Sequence, residues 1–128
     1  MGRKVMPEPR PVNGFATVLN LMAEACNHTS VLKGFEKGPK RSFGDIIALI
    51  HSELSEALEE YRNGHEYQEI YFNTDNIMKP EGIPIELADA IIRILQFCAN
   101  NGIDIGNAVA MKMEYNTTRP FKHGGKVI

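Results

Sequence analysis

The chain has no tryptophan, only two cysteines and no marked excess of either charge. Cys26 and Cys98 lie far apart without metal-type spacing, which excludes a zinc ribbon or a disulfide scaffold. They read as two thiols held in a reducing, cytoplasmic setting. A net charge of −2 argues against a protein that grips nucleic-acid polymers through bulk electrostatics. No apolar run approaches the roughly 20 residues that cross a bilayer, so no membrane partner is expected. The opening MGRKVMPEPRPV carries charge but no apolar segment of the secretory type. A chain of 128 residues suggests one domain that buries a core without staples.

What is present is helical periodicity. Pro7, Pro9 and Pro11 make residues 1–12 a mobile leader. A first helix is expected over 13–33, capped by Asn13, with Phe15, Val18, Leu19, Met22, Ala25, Cys26 and Thr29 on its inner face. Gly34 and Gly38-Pro39 end it. Ser42-x-x-Asp45 has the form of a capping box and opens a second helix over 43–63, stopped by Asn63-Gly64. A third is expected over 84–101, with Pro84 in its first turn and Asn101-Gly102 at its end. A fourth runs over 104–118, capped by Asp104 and stopped before Arg119-Pro120. No strand pattern stands out. Residues 64–83 read as irregular, with a short helix near 65–72 or a lid over a site. Residues 13–128 thus form a single all-α domain, a four-helix bundle-like protomer.

Two acidic pairs stand out. On the second helix Ile46, Ile47, Ile50, Leu54, Ala57 and Tyr61 form the expected core stripe. Glu53 and Glu56 sit on its shoulder, one turn apart. On the third helix Glu86, Asp89, Arg93, Gln96 and Asn100 make a narrow polar stripe. The remaining arc of about 240° is apolar, where a surface helix needs only a little over 100°. Such a helix has a second apolar partner: the bundle centre or another subunit. Its polar stripe is then either the wet side of a helix buried in a dimer or one wall of a cleft facing the second helix.

Four carboxylates in two pairs repel one another unless a cation lies among them. They offer hard oxygen donors and no sulfur, a set suited to Mg²⁺, with Mn²⁺ as a substitute. Mg²⁺ binds best where phosphate oxygens complete its shell, which points to water attack on a phosphoanhydride. A di-iron bundle is disfavoured, because no Glu here is followed by His three residues on. On the fourth helix an inward face of Ile105, Ala108 and Val109 turns polar at Lys112, Asn116 and Arg119, the pattern of a clamp on an anion. The tail Lys122-His123-Gly124-Gly125-Lys126 either nests an anion or is a free basic end. His28, His51 and His65 read as surface residues.

The stretches IIALIHSELSEALEEYRNG, IPIELADAIIRILQFCANNGIDI and MKMEYNTTRPFKHGGKVI resemble the MazG-like branch of the all-α nucleoside triphosphate pyrophosphohydrolases. That family carries Glu-x-x-Glu followed by Glu-x-x-Asp, which falls here on Glu53, Glu56, Glu86 and Asp89. The 29 residues between the pairs stand at or just past the long end of the usual spacing. The excess falls in the 64–83 loop, and it bears on the lid and the substrate. The resemblance implies Mg²⁺-dependent hydrolysis of a nucleoside triphosphate to a monophosphate and pyrophosphate, serving nucleotide house-cleaning. It also implies a homodimer or homotetramer. Two alternatives stand beside it. One is a non-catalytic helical dimerisation module. The other is a related pyrophosphohydrolase of the dUTPase-like or phosphoribosyl-ATP type. Glu53, Glu56, Glu86 and Asp89 are the expected metal ligands, and Lys112, Asn116 and Arg119 the expected substrate contacts. Glu53 lies nearest the core stripe and is the expected general base, because burial raises a carboxylate's basicity.

Overall fold

The computed structural model describes residues 14–33 and 40–120. The leader, the Asn13 cap, the Gly34 and Gly38-Pro39 stop, and the tail from Lys122 lie outside the described residues. The fold is all-α, as the periodicity predicts. Four helices, α1 (Gly14–Leu32), α2 (Phe43–Arg62), α3 (Ile83–Asn100) and α4 (Ile105–Thr118), are joined by one small sheet of β1 (Tyr71–Asn73) and β2 (Asn76–Glu81). Among the described residues no helix is long and apolar enough to cross a membrane.

The helix ends are set locally. Ser42 and Asp45 form the reciprocal capping box at α2, each side chain accepting from the other's backbone N–H. Asp104 caps α4 by accepting from the Asn107 N–H. Pro84 stands in the first turn of α3, where a missing N–H costs nothing. Gly64 and Gly102, both at positive φ, turn the chain after α2 and α3.

Residues 64–83 differ from the expectation. The segment 65–72 is not a short helix. Tyr71–Asn73 and Asn76–Glu81 pair antiparallel as a hairpin. A two-stranded hairpin is marginal alone, and its base is tied to the end of α2. The Tyr71 hydroxyl donates to the Glu60 carboxylate at 2.8–2.9 Å. The His65 ring stacks on Tyr71 with centroids 4.4 Å apart and bonds Glu69 at 2.8 Å. His65 is therefore half-buried in a network, not a free surface residue. Gly82, at φ 126°, lies against the Glu69 carbonyl, where any Cβ would collide.

α3 is the central helix, with α2 on one flank and α1 on the other, and α4 packs on α1. Phe43 against Phe97 and Glu53 against Arg93 show α2 and α3 to be antiparallel. Gln96 donates to the Cys26 carbonyl and ties α3 to α1. The inner faces are rotated from those expected. On α1 the buried residues are Ala16 and Ala23, while Phe15, Val18 and Met22 are exposed. On α2 the buried residues are Glu53 and Ala57, while Ile47, Leu54 and Tyr61 are exposed. On α4 the buried residue is Gly106, and Ala108 is exposed. Periodicity marks an apolar stripe, but it does not say which part of the stripe meets a helix of the same chain. Cys26 and Cys98 are both free thiols, Cys98 buried. Among the described residues no large side chain is fully buried.

Candidate metal centre

The N-terminal part of the α3 polar stripe forms one wall of a cleft facing α2, while Gln96 of the same stripe turns to α1. The wall carries Glu86, Asp89 and Arg93, and α2 supplies Glu53 opposite. One carboxylate oxygen from each of Glu53, Glu86 and Asp89 lies within 4.8 Å of the other two. Glu53 is only 8% exposed, and Glu86 and Asp89 are half-buried. Glu56, one turn further along α2, is exposed and is not among these converging oxygens, although it lies near enough to act on the carboxyls of Glu53 and Glu86.

The electrostatics follow from this crowding. Burial, contact with the Glu56 carboxyl and the charges of Glu56, Asp89 and Glu53 push Glu86 up to about 7. Burial and the Glu53 charge also raise Asp89, against the opposing charges of Arg93 and Lys79. Glu53 moves the other way. Burial raises it, but the hydrogen bond and charge of Arg93, with contacts to Glu56 and Glu86, outweigh burial and leave it below its ordinary value. The burial expected of Glu53 is present, and Arg93 cancels the rise in basicity expected from it.

The donor set fits a hard divalent cation. It is all oxygen, carries a surplus of negative charge and is partly dry.

The cations of α4 are elsewhere. α4 packs on α1, and every residue from Met111 to Pro120 is exposed. Lys112 lays its ammonium over the Tyr115 ring, 4.7 Å from the centroid. Lys112, Asn116 and Arg119 therefore share a face of a projecting helix, and the single chain does not bring them to the carboxylates.

Arg93 is the residue that sequence reasoning passed over. It stands on the polar stripe one turn after Asp89, and its Nε donates to Glu53 Oε1 at 2.8 Å. Its spacing from Asp89 was the available signal. No family model, curated protein or solved structure matches the chain.

Proposed function

We propose that the chain is a Mg²⁺-dependent nucleoside triphosphate pyrophosphohydrolase of the MazG-like, all-α kind, with Mn²⁺ able to replace Mg²⁺. The observation that carries this reading is the convergence of Glu53, Glu86 and Asp89 oxygens from two helices within 4.8 Å. In this reading the four carboxylates hold the metal. The ion supplies Lewis-acid stabilisation of charge on the phosphate oxygens. Glu53, held by Arg93, orients the attacking water.

The same reading includes self-association as a dimer or tetramer. Ile47, Leu54, Leu58 and Tyr61 on α2 and Leu87, Ile91 and Ile94 on α3 are exposed. Helical periodicity places both sets on one side of the antiparallel pair, away from Glu56 and Asp89. With no fully buried large side chain among the described residues, the chain would extend its core by pairing this face with a second copy. The exposed half of α4 then offers Lys112, Asn116 and Arg119 to the cleft of that copy as a phosphate clamp.

The test is product analysis over a panel of nucleoside triphosphates, dUTP and phosphoribosyl-ATP included, with Mg²⁺ and with a chelator. Metal-dependent release of a monophosphate and pyrophosphate is expected. A chain that self-associates yet releases no product from any of them is a helical association module instead.

A further inference from the structure

Arg93 commits its charge to Glu53 but leaves its strongest binding edge free. Only Nε is engaged. Among the described residues, no hydrogen bond or ion pair involves the two terminal nitrogens. Those nitrogens form the planar fork that grips carboxylate or phosphate. The side chain is 33% exposed, so the fork remains accessible to a ligand. A metal ion on Glu53 and a guanidinium on the same carboxylate repel each other. An incoming polyphosphate relieves that repulsion by supplying a second anion.

We propose that Arg93 couples metal binding to triphosphate binding. It opposes a bare divalent ion in the empty cleft and clasps substrate phosphate once the cleft is filled. This rests on the reading of the cleft as a metal site for a phosphoanhydride. The coupling is reciprocal by linkage: the triphosphate raises the affinity for the ion by the same factor as the ion raises the affinity for the triphosphate. A residue that merely supported the fold would act differently. Its loss would leave Glu53 buried without a partner and weaken every ligand in the same direction.

The experiment uses the full chain, with Mn²⁺ alone as the first probe, followed by electron paramagnetic resonance of the free ion. Arg93→Gln is expected to bind Mn²⁺ about fivefold tighter or more, the low end of ordinary coupling. The same variant is expected to raise KM for the Mg²⁺–triphosphate complex, so the two affinities shift in opposite directions. Arg93→Lys keeps the charge and loses the fork, so it retains the wild-type Mn²⁺ affinity while KM rises. Weaker or unchanged Mn²⁺ binding in Arg93→Gln overturns the proposal. If that variant does not fold, Arg93→Lys decides, and an unchanged KM overturns it. A wild-type chain that turns over no triphosphate refutes the hydrolase reading, and the sign of the Mn²⁺ shift in Arg93→Gln still decides what Arg93 does.

Discussion

The seam between α1 and α4 and the seam between α2 and α3 are built by opposite means. The first is made of small residues in close backbone approach. Ala16 is fully buried, and Gly106 lies so near its carbonyl that any Cβ would collide with it. Asn20 donates to Asp104 and accepts from the Gly106 N–H, both at 2.8 Å, which fixes the register of the two helices. The second seam is lined by large and charged groups: Phe43 on Phe97 at one end and Arg93 on Glu53 further along. Close approach gives a fixed joint. Polar side chains lining a seam bring carboxylates of two helices together. A metal cleft needs the second kind of seam, and a scaffold that holds it still benefits from the first.

The largest effect is expected where the α2–α3 seam carries chemistry. Asp89→Asn and Glu56→Gln should each lower turnover by about a hundredfold or more, the scale of losing one positioned acid–base or charged group. Neither should lower the unfolding midpoint of the metal-free chain, because each removes one of several repelling carboxylates. Full activity in either variant would separate the cleft from the reaction.

Next comes the narrow seam. Gly106→Ala should destabilise the chain by about 1–3 kcal/mol, since the collision is with backbone and no rotamer relieves it. Gly44→Ala is the contrast. Its Cβ would meet only Ser42 Oγ, at 3.8 Å, and should stabilise α2 by roughly 0.5 kcal/mol. Urea unfolding of the two variants would give shifts of opposite sign. Equal shifts would mean that the α1–α4 joint is not the tight one.

These two seams were not equally legible in the sequence. The capping box, the Asp104 cap, Pro84 and the terminal glycines are local devices, and each helix end follows from a few adjacent residues. The carboxylate pairs were also legible, because one turn of helix fixes which of them share a face. Gly106 gave no signal, since its meaning depends on Ala16, ninety residues earlier. The inner faces of α1 and α2 were misplaced for a related reason. Phe15, Val18, Leu54 and Tyr61 satisfy the periodicity, but the single chain covers smaller or charged neighbours instead. The hairpin was missed because Lys79 and Pro80 break the alternation of β2, and because Tyr71 is held by Glu60 of another element. The turn residues Asn73, Thr74, Asp75 and Asn76 between two apolar pairs were the signal for it.

The third test sharpens the contrast through pH. Glu86 holds its proton up to about 7 in the folded chain, against an ordinary 4.5. Between those values the folded state binds more protons than the unfolded state, so stability falls as pH rises. The metal-free chain should therefore lose stability across pH 4.5 to about 7. Glu53, shifted downward, acts in a different window: its contribution is lost only as pH falls below its ordinary value of 4.5. Saturating Mg²⁺ should remove the decline, since the ion replaces the proton in the cleft. Glu86→Gln should flatten it without metal. Denaturation midpoints over this range, with Mg²⁺ and with chelator, check both. A midpoint that rises with pH in chelator would contradict the crowding of these carboxyls.

The smallest effect is expected at the projecting half of α4, and it asks whether the two seams serve one site or two chains. Lys112→Ala should raise KM or lower kcat by about tenfold, the weight of one charge-assisted phosphate contact. Metal affinity should hardly change, because in this reading Lys112 meets the phosphates and not the carboxylates. The decisive version mixes chains. Suppose Lys112 of one chain serves the acids of another. A mixture of Lys112→Ala and Glu56→Gln chains, unfolded and refolded together, then contains hybrid dimers. Each hybrid has one site with both residues intact and one site with both replaced. Random pairing in a two-fold dimer should restore roughly a quarter of wild-type activity, well above that of either variant alone. If Lys112 instead served its own chain, no hybrid site would have both residues. The mixture would then give only the mean of the two variants, and the clamp would have to bend back from α4 across α1 to reach the cleft.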